Sequence, residues 1–276
     1  MNLYRKVNKA LHAATTGLAI LIFMGNNALA GSIILTGHDA DDHGANDFMN
    51  WALTALLNNG DGTSRPVVSD TTNRIGYIGN SSASLGSYLG FYDNFEFYDL
   101  DLNNWTDAFT DSNDVLVIGS GFDFISSSGV NTLTNASSMF SNYFNNAGNL
   151  FVNSHNGVGA SFYNFLPAIG NVSASNLTTC SSESGSGTCM SPSAAGSASG
   201  LLIGDVVNAN ITHNQFESDP IFTSLETYVP TGKSITIGLF EAKIQGGDFT
   251  TVPEPTTVAI FSLGLMGLVA RRLKNK

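Results

Sequence analysis

Four consecutive apolar residues at 115–118, reading VLVI, constrain the fold of this chain more than any other stretch. A run of this kind predicts a strand buried on both faces, which requires helices above and below it. Similar runs stand at 32–36 and 149–152. Each is followed by a polar or Gly-containing turn and then by apolar residues at helical spacing. Repeated units of strand, loop and helix predict an α/β fold with a mostly parallel sheet.

The remaining elements follow from the same signals of apolar runs, caps and turns. The predicted strands lie at 74–78, 95–100, 114–120, 201–207 and 234–239, and the predicted helices lie within 45–58, 84–91, 126–148 and 159–165. Residues 171–200 are rich in Ser, Gly and Thr and show neither a helical nor a strand pattern of apolar residues. This composition indicates a long loop or insertion. A Ser/Thr-rich β-sandwich is the alternative architecture, because short strands and turns also suit it.

Both ends of the chain are hydrophobic and flanked by basic residues. At the N-terminus, Arg5, Lys6 and Lys9 precede an apolar stretch at 17–24, and 28–30 reads Ala-Leu-Ala. This order predicts a signal peptide over 1–30, cleaved before Gly31. A retained N-terminal anchor is the alternative, and the shortness of the apolar run argues against it.

The C-terminal stretch 256–270 carries no charged residue, and basic residues follow it. Fifteen residues are fewer than the roughly 20 that span a bilayer as a helix, but Arg271 and Arg272 can reach the headgroups and extend the span. We therefore expect a transmembrane segment at 256–270 with its basic end in the cytoplasm, which places the preceding chain outside. A hydrophobic C-terminal helix of an ordinary fold is the alternative.

This tail resembles the PEP-CTERM sorting signal of bacterial surface and exopolysaccharide-associated proteins. The resemblance rests on Pro253, Glu254 and Pro255, on the apolar run and on the pair Arg271 and Arg272. It implies recognition of 252–276 and cleavage near the Pro-Glu-Pro by an exosortase-type membrane enzyme. The protein would then be a membrane-anchored precursor that is released to the cell surface or the extracellular space.

The segment between the two ends, 31–251, is long enough for one substantial domain. It carries four basic and 21 acidic residues, a formal charge of −17. Such a field repels nucleic acids and anionic polymers, so DNA or RNA binding is excluded. Divalent cations and neutral or cationic glycans remain compatible with it.

Only two cysteines occur, Cys180 and Cys189, on either side of a Ser/Gly-rich segment. In an oxidising exterior a pair this close is expected to form a disulfide loop worth about 2–3 kcal/mol. Two free thiols are the alternative. Zinc binding would need more ligands nearby than the sequence offers.

The order of elements resembles the class I glutamine amidotransferase-like or ThuA-like group of flavodoxin-like domains. The resemblance rests on 34–38, 114–120 and 142–152, with His213 and 219–222 at the place of a His-containing loop. Amidotransferases of this group need a Cys at a turn between strand and helix. The corresponding turn here offers Ser154 or His155, so glutamine hydrolysis is not supported.

The densest polar cluster follows the first strand, and further polar side chains follow later strands, at the edge where open α/β sheets bind ligands. Imidazoles and carboxylates are competent ligands for zinc, manganese or iron, and carboxylates for calcium. A divalent cation site is therefore predicted from His38, Asp39, Asp41, His43, Asp123 and His155.

Two other interpretations of these residues stay open. Asp41, Asp42 and Asp47 could instead cap the following helix and complement its dipole, with the histidines bonded around them. Ser154 could be a nucleophile with His213 as its base, although the turn lacks the first Gly of G-x-S-x-G.

The sequence thus favours an exported surface or matrix protein with a non-catalytic, exopolysaccharide-associated domain. The alternative is a metal-dependent or serine hydrolase that acts on a matrix glycan or peptide.

Overall fold

The computed structural model describes residues 30–251 except for 43, 66–69, 81–91, 122–123, 154–158, 167–171, 178–188, 210–211, 218–219 and 246–247. Ala30–Thr251 form one compact unit. The predicted signal peptide, the sorting motif residues and the predicted transmembrane segment lie outside the described residues. Among the helices that the structure describes, none is long and apolar enough to cross a membrane.

Eleven described strands form one sheet. In chain order they are β1 (Gly31–Thr36), β2 (Asp70–Gly79), β3 (Tyr92–Asp99), β4 (Val115–Ile118), β5 (Asn149–Val152), β6 (Ala174–Asn176), β7 (Met190–Pro192), β8 (Asn214–Phe216), β9 (Thr223–Tyr228), β10 (Ser234–Gln245) and β11 (Asp248–Thr251). The α-helices are α1 (Asn46–Leu57), α2 (Ser127–Asn135), α3 (Ser137–Asn145), α4 (Ala194–Ala198) and α5 (Ile203–Asn208), and 3-10 helices span Trp105–Phe109 and Gly159–Phe165.

The sheet is mixed, so the predicted mostly parallel sheet is wrong. Strands β3, β2, β4, β5 and β1 lie side by side in that order and are all parallel. Strand β10 pairs antiparallel with β1, and β6, β7, β8, β9 and β11 extend the sheet through antiparallel pairs. The sheet therefore has a parallel half and an antiparallel half, which meet at the β1–β10 pair.

Short connections explain two of the antiparallel pairs, β9–β10 and β10–β11. Five residues, 229–233, join β9 to β10, and two residues, 246–247, join β10 to β11. A parallel crossover needs a dozen residues or more, so these strands can pair only as hairpins. The strand predicted at 234–239 exists as part of β10. The antiparallel directions of β9 and β11 beside it follow from the short connections, which the apolar pattern of β10 does not predict.

Other elements differ locally from the sequence expectations. The strand predicted at 201–207 is wrong, because Ile203–Asn208 form helix α5. The predicted helix over 126–148 is two helices separated at Ala136, and the first has the expected cap, since the Gly129 N–H donates to Ser126 Oγ at 3.1 Å. The 171–200 segment contains β6, β7 and α4 rather than loop alone. The helix expected at 84–91 lies outside the described residues.

Apolar side chains cover both faces of the sheet. One cluster contains Phe140 and Phe144 of α3 and Phe165, and the other contains Phe48 and Trp51 of α1. All five side chains are fully buried. The central strands β1, β4 and β5 contribute alternate residues to the two clusters, as expected for strands covered on both sides.

A charged contact fixes α5 against the loop after α1. Arg65 donates from Nη1 and Nη2 to the two carboxylate oxygens of Asp205 at 2.9 and 2.6 Å, and from Nη2 to the Gly200 carbonyl oxygen at 2.5 Å. Both charged side chains are mostly buried. The planar guanidinium suits this two-point contact, so the pair contributes to local order.

The predicted disulfide concerns one described cysteine. Cys189, directly before β7, is not a free thiol. Cys180 lies outside the described residues, so the pairing of Cys180 with Cys189 stays a prediction.

Candidate functional site

His38 lies immediately beyond the end of β1 and is completely buried. Its Nε2 lies 3.0 Å from both carboxylate oxygens of Glu226, and its Nδ1 lies 3.0 Å from Thr212 Oγ1. Both ring nitrogens therefore have protein partners. In this arrangement the His38 ring is fully buried and bonded on both sides to protein groups.

Glu226 is held by a row of side chains across three neighbouring strands. Thr36 of β1 lies opposite Thr236 of β10 in the strand register, and Thr236 lies opposite Glu226 of β9. The Thr236 hydroxyl donates to Glu226 Oε2 at 2.7 Å, and the two threonine Oγ1 atoms are 2.9 Å apart. This buried row links the two halves of the sheet by side-chain hydrogen bonds.

Asp39 and His213 form a second, more accessible pair. Nε2 of His213 lies 2.8 Å from Oδ2 of Asp39, and 17% of the His213 side chain is exposed against 5% of Asp39. The backbone at Gly37 positions the pair, since its carbonyl oxygen accepts from the His213 N–H at 2.7 Å. A Cβ at Gly37 would lie 2.0 Å from the Asn214 carbonyl oxygen, so only glycine permits this approach.

Asp41 faces the parallel half of the sheet. Its Oδ2 accepts from the Tyr77 hydroxyl at 2.5 Å and from the Ser120 N–H at 2.8 Å. Complete burial raises the pKa of Asp41 to about 6, against these two hydrogen bonds, which lower it. Its Oδ1 is buried and has no hydrogen-bond partner among the residues that the structure describes. A carboxyl group in this setting is poised to take up a proton below neutral pH.

The three described members of the predicted cation site thus turn to different partners. His38 contacts Glu226, Asp39 contacts His213, and Asp41 contacts Tyr77. Within the described ranges, no three His, Cys, Asp or Glu side chains come together in a way that could hold a metal ion. His43, Asp123 and His155 lie outside those ranges, so the full six-residue site stays a prediction.

The capping interpretation of the acidic loop is wrong for Asp41, whose carboxylate bonds away from the helix. Helix α1 begins after Ala45, which provides no side-chain cap, and only Asp47 lies in its first turn. The predicted nucleophile Ser154 lies outside the described residues. Its predicted base, His213, is described and has an acidic partner in Asp39.

Sequence reasoning missed the partners that give this cluster its structure. Glu226, Thr212 and Tyr77 stand far along the chain from the residues they bind, and nothing in the local sequence of Thr212 or Tyr77 distinguishes them from other polar residues. Glu226 alone has a local signal, because it is a carboxylate between the apolar residues Leu225 and Tyr228, which are also buried. A buried carboxylate requires a partner.

Two surface grooves follow strand β3, which pairs only with β2 among the described strands and so forms an edge of the sheet. The larger groove has a volume of about 460 Å³ and is lined by Thr72, Arg74, Asn94, Phe95, Glu96, Ser112 and Asp114. The smaller has a volume of about 190 Å³ and is lined by Glu96, Phe97, Tyr98, Asp99, Leu102, Asn104, Asp107 and Asp111. Glu96 lies between the two grooves and lines both.

The grooves differ in charge. In the larger one, Arg74 donates from Nη2 to Glu96 Oε2 at 2.5 Å and from its backbone N–H to Asp114 Oδ2 at 2.7 Å, so a cation balances the carboxylates. The smaller groove has four carboxylates and no basic residue. Half-buried aromatic side chains, Phe95 and Phe97, stand beside these polar groups.

Comparison with known proteins identifies only the tail. Residues 251–274 match the PEP-CTERM protein-sorting motif. The motif indicates an exported protein that is processed by an exosortase. No curated protein and no solved structure matches the chain. The resemblance of the central domain to amidotransferase-like folds therefore has no support from relatives, and the mixed sheet argues against it.

Proposed function

We propose that this protein is delivered to the cell surface or extracellular matrix through its PEP-CTERM tail, and that its folded domain associates with exopolysaccharide without catalysing a reaction. The sorting motif at 251–274 is the observation that carries the proposal. The domain of an exosortase-processed protein lies outside the cell. We propose further that the protein is anchored in the membrane by its tail before the exosortase cleaves it.

The grooves along β3 support the glycan-binding part of the proposal. Sugars bind through planar hydrogen-bonding groups beside apolar surface, and the larger groove offers Asn94 and Glu96 together with the partly buried Phe95 in its lining. The contacts of His38 support the non-catalytic part of the proposal. Its ring is fully buried, and both ring nitrogens lie within hydrogen-bond distance of protein side chains.

The test is affinity electrophoresis of the compact unit, Gly31–Thr251, through gels that contain a neutral glucan or a partly deacetylated chitosan. Retardation by either polymer is expected, and it should fall at least about fivefold in Phe95→Ala and in Glu96→Gln. Val229→Ala changes an exposed apolar residue in the antiparallel half and serves as the matched control. Equal retardation of all four proteins, or none of the parent, would remove the glycan-binding role.

A hydrolase is the second candidate, favoured by the His213–Asp39 pair. An acid–base dyad with partial solvent access and a fixed orientation is the geometry that a general base needs. Release of reducing sugar from the same two polymers, or of peptide from casein, should then be lost in His213→Gln. Activity that is absent from the parent, or equal in the variant, would exclude this role for the pair.

A further inference from the structure

The last described strand leads directly into the sorting motif. Strand β11 pairs with the end of β10 through four residue pairs, from Gln245 opposite Asp248 to Ala242 opposite Thr251. One residue, Val252, separates Thr251 from Pro253. The backbone ladder of the domain thus ends at the start of the segment that the processing enzyme must recognise.

This arrangement leaves almost no free chain before the motif. An extended chain spans at most about 3.5 Å per residue, so the two residues after Thr251 give a reach of at most about 7 Å while β11 is paired. Enzymes that cleave a chain act on segments that are exposed and free of ladder hydrogen bonds. If β11 unpairs, the last fixed residue is Gln245, and the reach to Pro253 grows to about 28 Å.

The end of β10 has its own support and need not leave with β11. Asn145, the last residue of α3, binds both backbone groups of Ile244: its Nδ2 donates to the carbonyl oxygen at 3.1 Å, and its Oδ1 accepts from the N–H at 2.7 Å. Ala242 also pairs with Gly31 of β1. Strand β11 can therefore open as a local unit, as edge elements with few partners do.

We infer that β11 is a release strand, which unpairs from β10 when the exosortase engages the tail and pairs again after cleavage. This inference rests on the exosortase processing that the tail indicates. In its unpaired state, Asp248–Thr251 would be a flexible spacer between the domain and the cleavage region near Pro253.

The test is an engineered disulfide that holds β11 on β10 and that can be reduced again. Residues opposite each other on antiparallel strands have Cα atoms about 4.5–5.5 Å apart, within the range of a disulfide. Lys243 lies opposite Thr250 and both side chains are half-buried, so Lys243→Cys with Thr250→Cys should close a bridge in the oxidising exterior. Processing is read as conversion of precursor to the shorter product in cells that contain the exosortase.

The locked protein should be processed at least about tenfold more slowly than the parent, and each single cysteine variant should behave as the parent does. Insertion of six Gly and Ser residues between Thr251 and Val252 should restore processing of the locked protein. Parent-like processing of the locked protein would overturn the inference, and so would a block that the insertion does not relieve. A parent chain that is not processed at all would instead contradict the sorting role.

Discussion

Replacement of Asp41 by Asn should make the domain more stable at neutral pH. Asp41 is fully buried, and burial raises its pKa from 3.8 to about 6. A carboxyl group with a higher pKa in the folded than in the unfolded state binds more protons when folded, so its contribution to stability is present at low pH. That contribution is lost as the pH rises from about 4 through 6. A rise from 3.8 to about 6 corresponds to roughly 3 kcal/mol in the free energy of unfolding.

The Asn side chain keeps an oxygen that can accept from Tyr77 and Ser120 but cannot ionise. Its amide nitrogen takes the place of Oδ1, which has no hydrogen-bond partner among the described residues, so part of the gain is lost to unpaired N–H groups. We expect Asp41→Asn to be about 1–3 kcal/mol more stable than the parent at pH 7.5.

The assay is urea denaturation of Gly31–Thr251 at pH values from 4 to 8. The parent should lose stability between pH 4 and 6 relative to the variant, and the two curves should run parallel above pH 7. Asp47→Asn, an exposed carboxylate in the first turn of α1, is the control and should show no gain at pH 7.5. A variant that is less stable than the parent at pH 7.5, or that keeps the same pH dependence, would refute the reasoning.

Three further substitutions test the contacts that hold the two halves of the sheet and α5. His38→Ala leaves Glu226 buried without its main partner and should cost about 3–5 kcal/mol in urea denaturation, whereas a loss below 1 kcal/mol would show that the pair is unimportant. Arg65→Lys loses the two-point contact with Asp205 and should cost about 1–2 kcal/mol, and an unchanged urea midpoint would contradict this. Gly37→Ala places a Cβ against the carbonyl oxygen at the start of β8 and should cost roughly 3 kcal/mol, read as a fall in melting temperature, while a parent-like melt would contradict the close approach.

The strands of the parallel half could be predicted from the sequence, whereas in the antiparallel half only part of β10 could. Strands β1, β4 and β5 are apolar runs buried on both faces. This pattern predicts both that the segments are strands and that helices cover them on both sides. Strands β6, β7 and β8 have three residues each, too few for any period to appear. Leu202, directly before helix α5, and Ile203, its first residue, are exposed, so an apolar sequence there does not indicate burial.

The candidate site was predicted in part. Placement of His38, Asp39 and Asp41 after the first strand was right, because loops after parallel strands share one edge of the sheet. Their partners were not predicted, because Glu226 and His213 approach through antiparallel strands that the sequence pattern did not reveal. The sequence therefore predicts which residues lie together at this edge, but it does not predict the groups to which they bond.

The buried row from His38 to Glu226 has a structural explanation that concerns register rather than strength. A buried polar pair adds little stability over apolar residues of the same volume. The row, however, fits only one alignment of β10 against β1, because a slip of one residue would turn Thr236 away from both Thr36 and Glu226. The junction of the two halves needs such a constraint, since apolar side chains alone would accept several alignments. His38, Glu226 and the two threonines thus act on the alignment of the strands, whereas the carboxylates along the edge strand β3 line surface grooves.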